Sequence, residues 1–173
     1  MSDAVKQAWL DEAATMQAQL APPGVAGREA LSGNSGADFL AGISRGDFPA
    51  PPIGELMGMT PLKAVDGVAL FQGKPGPQHY NPLGAVHGGY AATLLDTAVG
   101  CAIHSLLPVG KGYTTLELKV NYVRAITVKT GPVRAEGKVI HLGGQTAIAE
   151  GRLTDAAGKL LAFATTTCLV FDI

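Results

Sequence analysis

The chain has 173 residues, of which 47% are hydrophobic and 16% charged, and this composition is sufficient for one globular domain with a full core. The formal net charge is only -1 and no dense run of Lys or Arg occurs, which argues against nucleic acid or an anionic membrane as a partner. The first residues lack the basic and then apolar pattern of a signal peptide, so we expect a cytoplasmic protein without a membrane span.

The N-terminal part is predicted to begin with a helix, because apolar residues recur there at steps of three and four. This helix starts near Ser2-Asp3 and stops before Pro22-Pro23-Gly24. Beyond it the sequence predicts a loop over 25–37, a short helical turn over 38–44 and an extended connector over 48–52. We name residues 1–55 the leader and expect it to clasp the domain formed by residues 56–173, because the leader can bury little by itself.

The domain is predicted to combine a sheet with one buried helix. An opening strand or hairpin covers Leu62–Gly73 and bends at Asp66-Gly67. The helix covers Tyr90–Leu106, follows two glycines and is apolar around most of its circumference.

Four further strands are predicted after the helix. Strict alternation over Thr115–Tyr122 places four side chains on the buried face, namely Leu116, Leu118, Val120 and Tyr122. Tight turns at Gly143-Gly144 and Ala156-Ala157-Gly158 join the last three strands, which makes them antiparallel neighbours: Gly131–Leu142, Gln145–Asp155 and Lys159–Phe171. The predicted fold class is α+β.

A single acid, Asp96, lies in the middle of the apolar helix, where an ionised carboxylate is costly unless it is paired or placed at a wet cleft. Either Thr93 and Thr97 satisfy this carboxylate locally, or it takes part in chemistry. The start of the same helix offers unpaired N–H groups, and glycines there let a ligand approach the backbone. The N–H of Gly88 can thus meet a carbonyl oxygen that becomes negative during a reaction.

The spacing of these two residues indicates a composite site. Asp96 follows Gly88 by eight residues, which is about 12 Å along a helix and too far for both to act on one carbonyl group. A two-fold dimer with antiparallel helices would bring Asp96 of one subunit to Gly88 of the other.

The pattern Asn81…His87-Gly88-Gly89…Asp96 resembles the signature of hotdog-fold acyl-CoA thioesterases of the phenylacetate-pathway and hydroxybenzoyl-CoA types, and the resemblance covers Met59–Phe171. It implies a hotdog fold, in which a curved antiparallel sheet of five to six strands wraps the long helix. It also implies hydrolysis of an aryl- or medium-chain acyl-CoA without a cofactor, since coenzyme A is part of the substrate. In the family, sites lie at the interface of homodimers, which pair further into tetramers.

The resemblance also implies roles for single residues. Asp96 would be the nucleophile or general base, the Gly88 N–H would bind the thioester oxygen, and Asn81 and His87 would position the acyl carbonyl. His87 has an alternative role as a cap of the helix. Thr115 matches a hydroxyl residue that holds the attacking water in some relatives, although an exposed strand threonine is common.

The same resemblance places Arg124 and the Gly143-Gly144 turn where relatives contact the nucleotide part of coenzyme A. The guanidinium group of Arg124 suits phosphate, and its alternative is a solvated strand end. Relatives often have Ser or Thr in the turn, so the glycines leave backbone amides as the donors.

The remaining histidines and cysteines are expected to be structural. His79, His104 and His141 are isolated in sequence and are read as packed or surface residues. Cys101 and Cys168 are read as small buried hydrophobic residues with reduced thiols, with a disulfide left open. Neither cysteine has a neighbour at metal-ligand spacing, so we expect no metal.

Two other functions are compatible with the same fold. One is a hydratase or dehydratase, although the sequence motifs that mark those enzymes are absent. The other is an acyl-CoA-binding protein without turnover, but no basic DNA-binding segment supports a sensor role.

Overall fold

The computed structural model describes residues 2–173, and the leader consists of helices and two short strands. Helix α1 spans Ser2–Gln17 and ends before the prolines, as predicted. It is followed by β1 (Ala21–Pro23), α2 (Arg28–Ser32), α3 (Gly36–Arg45), β2 (Pro49–Ala50) and α4 (Pro52–Met57). The predicted loop therefore contains a helix, and the predicted helical turn extends over ten residues.

The boundary predicted between residues 55 and 56 falls inside α4. Proline at the first position of a helix costs nothing, because its missing N–H would have no partner there anyway. Pro52 can therefore begin α4. The proline-rich stretch that is predicted to be an extended connector leads directly into this helix.

The domain contains one six-stranded antiparallel sheet and one long helix, α5 (Gly88–His104). The strands are β3 (Met59–Val65), β4 (Val68–Gly73), β5 (Lys111–Tyr122), β6 (Val133–Leu142), β7 (Thr146–Asp155) and β8 (Leu160–Asp172). Their order in the sheet is β3-β4-β6-β7-β8-β5, so β3 and β5 are the edge strands. Since α5 contacts all six strands, the predicted α+β architecture is confirmed.

The opening hairpin turns at Asp66-Gly67 as predicted. Both residues have positive φ, 52° and 75°, which matches the two-residue turn that suits the twist of a hairpin.

Helix α5 lies very close to the sheet. Its side chains Leu94, Leu95 and Ile103 are fully buried. A Cβ at Gly137 on β6 would overlap the carbonyl oxygen of Ala98, so only glycine lets the strand pass under the helix at this point.

The strict alternation predicted for β5 is wrong at two positions. The register shifts between Thr115 and Glu117, which leaves Leu116 as a β-bulge with 60% of its surface exposed. Leu118 and Val120 do pack against the core, but Tyr122 is 58% exposed at the end of the strand. The bulge lets Thr115 face α5 together with Leu118, although an unbroken strand would turn them to opposite faces.

The leader packs on both faces of the sheet near edge strand β3. On the outer face, Arg134 of β6 pairs with Glu12 of α1 and lies 4.2 Å from the centre of the Trp9 ring. On the helix side, the N–H of Gly36 in α3 donates to the carbonyl oxygen of Leu107 just after α5, at 2.9 Å. Because α1, α3 and α4 all contact β3, this edge is covered by the chain itself.

No helix within residues 2–173 combines the length and the apolar run that crossing a bilayer requires.

Candidate active site

The carboxylate of Asp96 is held from the neighbouring strand and not from its own helix. The hydroxyl of Thr115 on β5 donates to Asp96 Oδ1 at 3.0 Å, across 19 residues of sequence. The hydroxyls of Thr93 and Thr97 instead donate to the backbone carbonyl oxygens of Gly89 and Thr93, each at 2.8 Å. The interpretation in which these two threonines satisfy Asp96 locally is therefore wrong.

Asp96 keeps one oxygen free for chemistry. Its Oδ2 has no hydrogen-bond partner among residues 2–173, and the residue is only half-buried. A carboxylate that is fixed through one oxygen and open at the other suits a base or a nucleophile.

Both cysteines lie close to this pair as neutral groups. The thiol of Cys168 on β8 donates to Thr115 Oγ1 at 3.9 Å, behind the hydroxyl that holds Asp96. Burial, and then the nearby Asp96 carboxylate, raise the pKa of the Cys101 thiol to about 12. Burial also raises the pKa of Cys168. Both thiols are free, and their raised pKa values make them poor nucleophiles near neutral pH.

The start of α5 presents an open amide at a cleft. His87 caps the helix, since its Nδ1 accepts from the N–H of Gly89 at 2.9 Å. The N–H of Gly88 has no acceptor among the described residues. It lies in a cleft of about 310 Å³ that Asn81, His87, Tyr122 and Arg124 also line. An unpaired N–H at the positive end of a helix is a site for an anionic oxygen.

The side chain of Asn81 shapes the loop that leads into this cleft. Its Oδ1 accepts from the backbone N–H groups of Leu83, at 2.9 Å, and Ala85, at 3.2 Å. The amide hydrogens on Nδ2 therefore remain for a ligand, while the oxygen is occupied.

The two predicted contacts to the nucleotide part of coenzyme A do not come together within one chain. Arg124 lies at the rim of the cleft, and its Nη1 donates to the carbonyl oxygen of Leu160 at 2.6 Å. The Gly143-Gly144 turn lies at the opposite end of the sheet, separated from it by ten-residue strands of about 33 Å. The Gly143 N–H already donates to the carbonyl oxygen of Thr146 at 2.8 Å, which leaves the amide of Gly144 as a donor.

Asp96 and Gly88 likewise lie apart within one chain. Both belong to α5, at positions about 12 Å apart along its axis. Asp96 faces Thr115, whereas Gly88 faces Tyr122 seven residues further along β5. Within a single chain this separation is too large for both residues to act on one carbonyl group.

The remaining histidines lie outside this arrangement. His79 accepts from the N–H of Gly76 at 3.0 Å and packs against the ring of Tyr90. His104 packs between Phe39 and Tyr113, and burial lowers its pKa, while His141 is exposed. Within residues 2–173 no group of three or more His, Cys, Asp or Glu side chains is placed to hold a metal ion.

Comparison with known proteins identifies the family of this fold and site. The model of the thioesterase superfamily matches residues 83–162, a range that contains Gly88, Asp96, Thr115 and Arg124. The structure of a conserved protein from Pseudomonas aeruginosa is 30% identical, with a TM-score of 0.66, and the match covers 70% of this chain and 95% of that one. The chain belongs to the thioesterase superfamily.

A second solved structure supports the predicted type. It is a phenylacetic acid degradation-related protein from Ralstonia eutropha, provisionally named a thioesterase, at 27% identity and a TM-score of 0.69. The match covers 75% of this chain and 98% of that one. The recognition of a hotdog-fold thioesterase of the phenylacetate-pathway type is thereby confirmed, and we place the protein among the thioester hydrolases.

Curated relatives carry names of hydrolases that cleave esters or thioesters. A 1,4-dihydroxy-2-naphthoyl-CoA hydrolase of Listeria monocytogenes is 26% identical over 67% of this chain and 93% of its own length. A protein of Halobacterium salinarum, provisionally named an esterase, is 42% identical over 39% of this chain. The match spans 44% of that protein's length.

The sequence did not indicate that Tyr122 lines the cleft at Gly88. Tyr122 is predicted to face the core, but a Cβ added to Gly88 would lie 3.1 Å from Cζ of its ring. Apolar alternation cannot indicate that Tyr122 is exposed. The bulge at Leu116 and the end of the sheet decide this, and both are set by pairing with a distant strand.

Proposed function

We propose that this thioesterase hydrolyses acyl-CoA at composite sites of a homodimer, with Asp96 as the base or nucleophile. The single observation that supports this most strongly is the hydrogen bond of 3.0 Å from Thr115 to Asp96, the one acid of a mostly apolar helix. A carboxyl group that is oriented through one oxygen and open at the other fits a catalytic role better than a structural one.

The reaction needs only groups of the protein and water. As general base, Asp96 takes a proton from water while the oxygen of that water bonds to the thioester carbon. As nucleophile, Asp96 Oδ2 bonds to that carbon first and forms an anhydride that water then hydrolyses. In both routes the carbon–sulfur bond breaks, and the sulfur of coenzyme A leaves as a thiolate and takes up a proton. No cofactor takes part, since coenzyme A enters with the substrate.

The negative oxygen of the intermediate would bond to the N–H of Gly88 of the partner subunit. That amide has no acceptor among residues 2–173 of its own chain, and the start of α5 adds the positive end of the helix dipole. Asn81 and His87 line the same cleft, where Nδ2 of Asn81 can orient the acyl carbonyl and His87 holds the helix start in place. Arg124 at its rim would meet the phosphates of coenzyme A.

Strand β5 is the edge that we expect to join the subunits. The other edge, β3, is covered by the leader, whereas Leu116 on β5 exposes 60% of its surface. Pairing β5 with its two-fold copy would run the two α5 helices antiparallel, as the composite site requires. Association of two such dimers into a tetramer remains a prediction.

We expect sedimentation at assay concentration to show a dimer and not an active monomer. Leu116→Glu should weaken dimerisation more than about tenfold and lower activity in parallel, because it would place an unpaired charge in the interface. Val109→Glu is the matched control, since Val109 is 59% exposed and lies outside β5. An active monomeric wild type would contradict the composite site.

Thr115→Val is expected to lower kcat about tenfold, because it removes a hydrogen bond to the reacting carboxylate while preserving side-chain volume. Thr115→Ser retains the hydroxyl and should retain most of the activity. Equal activity of the Val and Ser variants in steady-state assays would mean that the hydrogen bond has no catalytic role.

The proposal is tested by measuring thiol release from a panel of acyl-CoA thioesters. Release of free coenzyme A supports a thioesterase, and hydration of an enoyl-CoA without thiol release would instead show a hydratase. Tight binding with neither reaction would indicate a protein that only binds acyl-CoA.

A further inference from the structure

The ring of Tyr122 lies directly beside Gly88 at the start of α5. A Cβ added to Gly88 would lie 3.1 Å from Cζ of this ring and 3.3 Å from its hydroxyl oxygen, Oη. Because a Cβ lies about 2.5 Å from the backbone N of its own residue, Oη is within about 6 Å of the Gly88 N. Two donors to one oxygen, at bond lengths of about 2.8 Å, are at most about 5.6 Å apart. The separation therefore allows the amide and the hydroxyl to donate to the same oxygen.

Neither donor is occupied by the protein itself. The Gly88 N–H has no acceptor among residues 2–173, and the Tyr122 hydroxyl makes no hydrogen bond to any of them. The Tyr80 hydroxyl, by contrast, accepts from the backbone N–H of Val128 at 2.9 Å. Gly88 and Tyr122 line one cleft of about 310 Å³, and Tyr122 is 58% exposed. A ligand in this cleft can thus reach both donors.

The bulge in β5 turns this tyrosine toward the helix. Thr115 and Tyr122 are seven residues apart, so an unbroken strand would turn them to opposite faces of the sheet. The extra residue at Leu116 brings both side chains to the face that meets α5. Strand β5 therefore places one hydroxyl beside Asp96 and another beside Gly88.

We propose that the Tyr122 hydroxyl is a second donor to the thioester oxygen, next to the Gly88 N–H of the same subunit. The inference rests on the proposed function and adds a catalytic residue to it. The hydroxyl keeps its proton, and its hydrogen bond strengthens as the thioester oxygen becomes negative. It therefore stabilises the transition state more than the bound substrate, and it should act on kcat more than on KM.

Tyr122→Phe tests this proposal, because it removes only the hydroxyl. The kcat for thiol release should fall at least about tenfold with little change in KM, since one of two donors to the oxyanion is lost. Tyr90→Phe is the matched control and should retain wild-type activity. Tyr90 also lies at the start of α5, but it is only 3% exposed, and its hydroxyl has no hydrogen-bond partner among residues 2–173. An unchanged kcat in Tyr122→Phe, or a rise in KM alone, would overturn the proposal.

A ketone analogue of the substrate separates failure of this inference from failure of the proposed function. In this analogue of hexanoyl-CoA a methylene group replaces the thioester sulfur, so the carbonyl group remains but cannot be hydrolysed. Hydrogen bonds to the oxygen weaken the carbonyl bond and lower its stretching frequency. Infrared spectroscopy of the isotope-labelled ketone should therefore give a lower frequency in the wild type and in Tyr90→Phe than in Tyr122→Phe, even if no acyl-CoA releases thiol. An identical frequency in the wild type and in Tyr122→Phe would show that the hydroxyl does not contact the carbonyl oxygen.

Discussion

Asp96→Asn is expected to lower kcat by at least about a hundredfold while leaving substrate binding largely intact. The amide has the same shape as the carboxylate, and its oxygen can still accept the hydrogen bond from Thr115. It can neither take a proton from water nor attack the thioester carbon, so the loss should appear in kcat and not in KM.

A second Asp→Asn variant is the control for this result. Asp66 is exposed in the hairpin turn at positive φ, a conformation that asparagine tolerates well, so Asp66→Asn should behave as wild type. Near wild-type turnover of Asp96→Asn in the thiol-release assay would mean that Asp96 has only a structural role.

Mixing two inactive variants should restore activity if the site is shared between subunits. Asp96→Asn removes the base, and Gly88→Val blocks the open amide, because even a Cβ at this position lies 3.1 Å from the Tyr122 ring. A mixed dimer has one site with both lesions and one site with neither. Random exchange of equal amounts should therefore give up to about a quarter of wild-type activity if the sites are independent.

The control is a mixture of Asp96→Asn with Asp96→Ala. Every site in this mixture lacks the carboxylate, so no activity should return. Mass spectrometry of the intact complexes verifies that mixed dimers have formed. An inactive mixture in the presence of mixed dimers would mean that Asp96 and Gly88 do not serve one site across the interface.

Local sequence patterns predicted most of the domain. Apolar periodicity predicted α5 and the strands after it, and glycine-containing turns predicted the hairpins, because these features depend on neighbours a few residues apart. The leader was predicted less completely. Its helix α3 (Gly36–Arg45) packs on α5, which begins only at Gly88, so a local pattern carries no information about this contact.

The candidate site was likewise predicted in part from local patterns and in part not. His87, Gly88 and Asp96 are placed by the helix itself, so the pattern predicted both the open amide at its start and the roughly 12 Å gap to the acid. The partner of Asp96 depended on β5, where pairing with β8 requires a bulge at Leu116 that turns Thr115 toward the helix.

The sequence by itself determined the central helix, its isolated acid, its unpaired N-terminal amide and the roughly 12 Å between them, because all of these follow from spacing along one helix. Only the tertiary structure decided that Thr115, and not Thr93 or Thr97, holds Asp96, that Tyr122 covers Gly88, and that the leader closes the β3 edge. Strand register, bulges and packing across sheet edges are set by contacts between distant segments, and no local pattern encodes them.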